Sequence, residues 1–188
     1  MSAAAIVIGA SAGGVQALSA ILGALPANYP LPVLVVIHIP PRKDNALIQL
    51  FGQKCALPVK EAEDKEPLVS GTIYFAPPDY HLLIETPDAL ALSADEQVNH
   101  SRPAIDVLFE TAADVFGPAL TAIVLTGAND DGARGLQLVG EAGGTTIVQD
   151  PASAEVATMP AAALAAAPGA LVMDLQQIVT HLTSTSAR

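Results

Sequence analysis

Hydrophobic positions along the chain follow two rhythms. Short apolar or β-branched runs occupy residues 5–8, 33–37, 120–125, 145–148 and 170–173. Between them, apolar residues recur every third or fourth position over 14–25, 44–53, 103–116, 132–142, 160–167 and 175–182. The runs read as strands covered on both faces, and the periodic segments as helices packed on those strands. Pro26 ends the first helix, Pro40 and Pro41 end the second strand, and Pro103 sits in a first helical turn. The stretch 57–93 differs. It holds short strands at 72–75, 81–85 and 89–92 between proline-rich turns, the pattern of an antiparallel meander or hairpin. The prediction is an α/β fold: a doubly wound, mainly parallel sheet flanked by helices, with a short antiparallel hairpin in the middle of the chain. No repeat, linker or low-complexity break divides the 188 residues, so residues 1–188 read as a single domain, with 183–188 as a frayed tail.

Charge narrows the function classes. Lys and Arg number 8 against 19 Asp and Glu, a net charge of -11. Nucleic acid and anionic membrane surfaces both require the opposite sign. Apolar residues make up 51% and charged residues 14%, enough to bury a core, though one poor in aromatics. Cys55 is the single cysteine, which excludes an internal disulfide and a cysteine-clustered zinc site; it reads as a small buried hydrophobe in a protein of a reducing, cytoplasmic compartment. The mean hydropathy of +0.45 raises the question of a membrane span. Gly9, Gly13, Gly14, Pro26 and Pro30 interrupt the uncharged opening stretch, and Pro160, Pro168 and Gly169 interrupt the later one. Neither supplies the roughly 20 consecutive apolar residues a span requires. The first five residues also lack the basic start of a secretory signal.

Three strand ends carry candidate chemistry. The first is the loop Gly9-Ala10-Ser11-Ala12-Gly13-Gly14. As a dinucleotide cradle it lacks the second glycine, since position 11 is Ser, and the second strand ends in His38 instead of an acid. As a nucleophile turn of G-x-S-x-G form it exposes the Ser11 hydroxyl. A third reading makes Ser11 a helix cap. His38 ends the second strand, and ligands of parallel sheets bind at the carboxyl edge of the strands. A serine becomes nucleophilic when a histidine takes its proton. The third segment, Leu125-Thr126-Gly127-Ala128-Asn129-Asp130-Asp131-Gly132, supplies two carboxylates, either of which can orient a histidine or cap the next helix. Gly127 and Gly132 permit a turn that points amides inward, as an oxyanion hole needs. The order Ser, His, Asp differs from the Ser, Asp, His order of the α/β-hydrolases. His81, His100 and His181 are scattered without ligand spacing and form no metal site.

These segments, with Val36-Ile37-His38-Ile39-Pro40, Tyr74-Phe75-Ala76-Pro77, Ser101-Arg102-Pro103-Ala104-Ile105-Asp106 and Met159-Pro160-Ala161-Ala162, follow one another in a recognisable order. From about Ile6 to about Leu182 the chain resembles the catalytic domain of the chemotaxis protein-glutamate methylesterases. The resemblance implies hydrolysis of glutamate γ-methyl esters, and deamidation of glutamines, on the cytoplasmic domain of methyl-accepting chemoreceptors, without metal or organic cofactor. It implies Ser11 as nucleophile, His38 as general base, Asp131 rather than Asp130 as triad acid, Ala128 as the oxyanion amide, and Arg102 at the substrate cleft. Three positions depart from the family pattern: Ala128 stands where Met is common, Asn129 where Gly is common, and Thr158 where Gly is usual. Family members usually carry an N-terminal receiver domain, for which the ten residues before Ser11 leave no room, so a stand-alone member or an excised domain is expected. The alternatives are a catalytically weak receptor-binding module of the same fold, a hydrolase of a different ester, and a nucleotide-binding domain.

Overall fold

The computed structural model of the chain describes residues 4–40 and 46–185. A seven-stranded sheet forms its centre. The strands are β1 (Ala5–Ala10), β2 (Val33–Ile37), β3 (Val59–Glu61), β4 (Ile73–Phe75), β7 (Leu120–Val124), β8 (Thr145–Gln149) and β9 (Leu171–Met173). Their order is β3-β4-β2-β1-β7-β8-β9, and every adjacent pair is parallel. The helices are α1 (Gly14–Leu22), α2 (Ala46–Lys54), α3 (Ile105–Phe116), α4 (Ala133–Glu141), α5 (Thr158–Ala166) and α6 (Leu175–Thr185). A separate antiparallel hairpin pairs β5 (His81–Thr86) with β6 (Ala89–Ser93).

The continuous apolar strands have the cause read from their sequence. Every residue of β1, β2 and β7 is buried, because helices cover both faces. Alternation splits β1 between two cores. Ile6, Ile8 and Ala10 pack with Leu18, Ile21 and Leu22 of α1, and with Ile178 of α6. Ala5 and Val7 pack with Ile105, Leu108 and Phe109 of α3, Leu136 of α4 and Met159 of α5. Each large aliphatic side chain removed from water in this way contributes about 1.5–3 kcal/mol. The strand order reverses at β1: the chain builds outward through β2 and β4, then returns to add β7 on the other side. The crevice at the carboxyl ends of β1 and β7 is therefore the topological switch point, where open α/β sheets bind ligands.

Several local expectations require correction. Residues 72–75 do not join a meander; as β4 they form a parallel strand beside β2, with the short β3 on their far side. Only β5 and β6 make the antiparallel hairpin, and it packs its Leu82, Ile84 and Leu90 against the α3 side of the core. Pro103 precedes the N-cap, Ala104, instead of occupying the first turn. The first helix ends at Leu22, three residues before the predicted limit, while the last continues to Thr185, past the expected fraying point. Asp44, in the predicted second helix, and residues 186–188 of the expected tail lie outside the described residues. Cys55 is half-buried, beside the α1 side of the core. Among the described residues no helix is long and apolar enough to cross a membrane.

Candidate active site

The ends of β1, β2 and β7 are laced together one residue beyond the sheet. The His38 amide donates to Ala10 O at 3.0 Å, and the Ser11 amide to Thr126 O at 3.0 Å. Ala10 pairs with Ile37 in the parallel register, so Ser11 and His38 are the next residues along neighbouring strands. Both line one open cleft of about 340 Å³, together with the α1 N-terminus, Ile39 and Glu155. Ser11 does not cap α1: Gly13 is the N-cap, with φ of 78°, and it caps without a side-chain bond. That left-handed turn suits glycine, and a Cβ there would come within 2.8 Å of Glu155 Oε2. Among the described residues the Ser11 hydroxyl has no hydrogen-bond partner, so it is free to meet a ligand.

Behind His38 the site is dry. His38 Nε2 lies 2.8 Å from Asp131 Oδ2, and Asp131 is 0% exposed. The same carboxylate accepts the Ile105 amide at 2.6 Å, the Asp106 amide at 3.1 Å and Asn99 Nδ2 at 2.9 Å. Burial pushes the Asp131 carboxyl up, but the bond from His38 and these three donors outweigh it and hold the group below its ordinary value. An ionised Asp131 has no proton to give, so Nε2 of His38 is the donor, and in the neutral ring Nδ1 carries the lone pair. Asp130, by contrast, is exposed and bonds no histidine.

A second buried carboxylate completes the frame. Asp106 Oδ1 accepts the amides of Gly132 at 3.0 Å and Gly135 at 2.7 Å, so it caps α4 from a neighbouring helix. Its Oδ2 accepts Asn99 Nδ2 at 2.7 Å. Burial raises the Asp106 pKa, with the Asp131 charge adding to the effect and the Gly135 amide, Asn99 and the Gly132 amide opposing it. Asn99 therefore clamps two carboxylates at once, from a turn where it holds φ of 52°. Close contact of α3 with β1 depends on Gly9, where an added Cβ would lie 2.4 Å from Ile105 Cγ2. That approach delivers the Ile105 amide to Asp131.

The loop after β7 is pinned on its other side. Thr126 Oγ1 donates to Ala12 O at 2.9 Å and accepts the Val156 amide at 2.9 Å, while buried Gln149 accepts the Thr126 amide. Gly127 donates to Val156 O and accepts the Met159 amide. Ala128, next in line, is exposed, and its amide has no partner among the described residues.

The structure thus brings Ser11, His38 and Asp131 to one sheet edge, with Ala128 on the adjoining loop. Arg102 goes elsewhere: its Nη1 donates to Ala94 O and Asp95 O, each at 3.0 Å, and it does not line the cleft. His81 is 2% exposed, engaged by Glu96 O and the Ala104 amide, and faces neither solvent nor the cleft. Among the described residues no cluster of His, Cys, Asp and Glu is arranged to hold a metal ion. Asn99, Gln149 and Glu155 have site contacts that the sequence reading missed. Asp106 lies within the Ser101–Asp106 segment, but its partners Gly132 and Gly135 are distant in sequence and leave no local signal.

Comparison with known proteins agrees with this architecture. The family model described as CheB methylesterase matches residues 6–182. A Leptospira interrogans protein is 48% identical over 174 residues, covering 93% of this chain and 90% of that protein; its name carries protein-glutamate methylesterase/protein-glutamine glutaminase as a provisional assignment. A Nocardioides protein named protein-glutamate methylesterase/protein-glutamine glutaminase is 39% identical over 186 residues, and this chain spans 50% of its length. The crystal structure of the Thermotoga maritima CheB methylesterase catalytic domain superposes with a TM-score of 0.91 at 33% identity, covering 98% of this chain and 99% of that one. With the family model matched over nearly the whole chain and the fold shared end to end, the chain belongs to the CheB methylesterase family.

Proposed function

We propose that this chain hydrolyses glutamate γ-methyl esters on the cytoplasmic domain of methyl-accepting chemoreceptors, by acyl transfer through Ser11, His38 and Asp131. One observation carries the reading: Ser11 and His38 line the same cleft, and Nε2 of His38 is held by the buried Asp131 carboxylate. Ser11 Oγ attacks the ester carbonyl and passes its proton to Nδ1 of His38. Asp131 stabilises the imidazolium that forms, and the Ala128 amide receives the charge on the carbonyl oxygen. Collapse breaks the C–O bond of the methoxy group, which leaves as methanol with the proton from His38. A water deprotonated by His38 then splits the acyl-serine, releasing the glutamate carboxylate and free Ser11. A glutamine side chain treated the same way releases ammonia.

Methanol release from methylated receptor membranes tests the reading, with Ser11→Ala beside the wild type. The expected loss in kcat is about 10⁴-fold or more. If wild type cleaves a small activated ester in a Ser11-dependent manner but releases no methanol, the receptor assignment falls and the triad stands. If neither substrate is turned over, the esterase reading falls, and the chain is a binding module of the family's fold.

A further inference from the structure

Both ring nitrogens of His38 are occupied. Asp131 takes Nε2 at 2.8 Å, and Asn129 Nδ2 lies 3.2 Å from Nδ1. The orientation of the Asn129 amide follows from its other end. Its Oδ1 accepts the Asp131 amide at 3.0 Å, a bond that only the carbonyl oxygen can make, so the NH₂ group faces His38. An NH₂ group donates, which requires a lone pair on Nδ1. Asn129 and Asp131 thus select the same histidine tautomer from opposite sides. The lone pair so defined is the one Ser11 needs, and in this arrangement Asn129 holds it while the Ser11 hydroxyl bonds to nothing among the described residues. Asn129 is half-buried, with exposed Ala128 and Asp130 on either side.

We propose that Asn129 is a positioning residue that caps the base lone pair of His38 in the resting site and must yield it before Ser11 can be deprotonated. The proposal rests on the reading of Ser11 and His38 as nucleophile and base. The cap keeps the imidazole in its productive tautomer while withholding it from the serine. Seating a substrate that brings Ser11 Oγ toward His38 exchanges one hydrogen bond on Nδ1 for another. The penalty is then the net value of one neutral hydrogen bond, equivalent to about 2- to 10-fold in rate.

Two measurements on the full chain test this. The first is the rate at which phenylmethylsulfonyl fluoride sulfonylates Ser11, which forms S–O, breaks S–F and hands the serine proton to His38. The second is the ¹⁵N spectrum of His38, which reports the state of Nδ1 whether or not the protein turns over substrate. Asn129→Ala and Asn129→Gly should speed sulfonylation by about 2- to 10-fold and shift the Nδ1 resonance toward that of an uncapped acceptor. Asn129→Asp keeps the acceptor for the Asp131 amide and replaces the NH₂ facing His38 with an anionic oxygen. It should turn Nδ1 into a donor and slow the reaction more than about 10-fold. An Nδ1 resonance identical in wild type and Asn129→Ala overturns the proposal, as does slower sulfonylation in both small variants. Failure of the esterase reading is told apart by Ser11→Ala: if that variant reacts as fast as wild type, the nucleophile assignment falls, and the nitrogen spectrum alone then decides whether Asn129 holds His38.

Discussion

Ser11 and the His38 ring stay within reach of solvent along the cleft, whereas Asp131 and Asp106, directly behind them, are 0% and 7% exposed. The open side is set mainly by backbone, by adjacent strand ends, a left-handed glycine and a short turn, with the Thr126 hydroxyl on Ala12 O and the Asn129 amide on His38 Nδ1 as its side-chain contacts. The closed side is set by side chains and amides that meet from four segments, with every carboxylate oxygen bonded. A group that must touch substrate cannot be tied down, and a group that must orient another has to be. Reactivity and stability are therefore separable on one side of His38 and fused on the other.

The largest effects test that separation. Asp131→Asn and Ser11→Ala should each lower kcat about 10⁴-fold, the first by presenting an NH₂ group to a histidine nitrogen that needs an acceptor. They should part company in unfolding by urea. Ser11→Ala removes an oxygen that bonds nothing among the described residues, so its midpoint should match wild type. Asp131→Asn leaves buried donors unmatched at the Ile105 amide, Asn99 or His38, at a cost of about 3 kcal/mol. Equal stability of the two variants would break the comparison.

Gly9→Ala probes how the closed side is held in place. The new methyl group would meet Ile105 at 2.4 Å, a contact that forces α3 away from β1. Overpacking of this kind costs about 1–3 kcal/mol. Because the Ile105 amide is a ligand of Asp131, kcat should fall as well. Adding Ile105→Ala makes room for the methyl group and should restore part of both losses, which a double-mutant cycle measures. Additive losses would show that the two residues do not meet.

Gly9 also marks the boundary of what the sequence reveals. The open side was legible because it depends on local pattern: an apolar run, a glycine turn, a histidine at a strand end. Parallel strands bring such ends together by topology, so Ser11, His38 and the Asp130–Asp131 pair fall at one edge without knowledge of a single contact, while the choice of Asp131 over Asp130 rests on the family resemblance. The closed side depends on contacts between segments distant in sequence. Asn99 reaches Asp131 from 32 positions away, and nothing in its own neighbourhood reports it. Arg102 shows the converse. The family resemblance implies a cleft role for Arg102, within the Ser101–Asp106 segment, yet its Nη1 is committed to two backbone carbonyls of the segment that follows β6. The misassigned strand at 72–75 has the same origin, since a short apolar run looks alike in a hairpin and in a parallel sheet until its partner is known.

The smallest effect concerns acid stability, and it divides the closed side itself. Asp131 has a folded pKa below its unfolded value of about 4, so its contribution is full above that pH and is lost as pH falls through the folded pKa. Asp106 has a folded pKa above its unfolded value, so its ionisation opposes folding, and that opposition is relieved as pH falls through the folded pKa. On acidification from neutrality, Asp106 first raises stability toward about pH 4, and Asp131 then lowers it. The two contributions have opposite sign and partly cancel in the wild type. Asp106→Asn removes the first and leaves the second. Its misplaced NH₂ group facing Asn99 lowers stability by an offset that does not depend on pH. Urea midpoints measured between pH 7 and pH 3 should therefore show wild type gaining on Asp106→Asn as the medium approaches pH 4, with both falling together below it. Parallel curves throughout would mean that Asp106 is no harder to ionise in the fold than in the open chain, and that its three donors fully offset its burial.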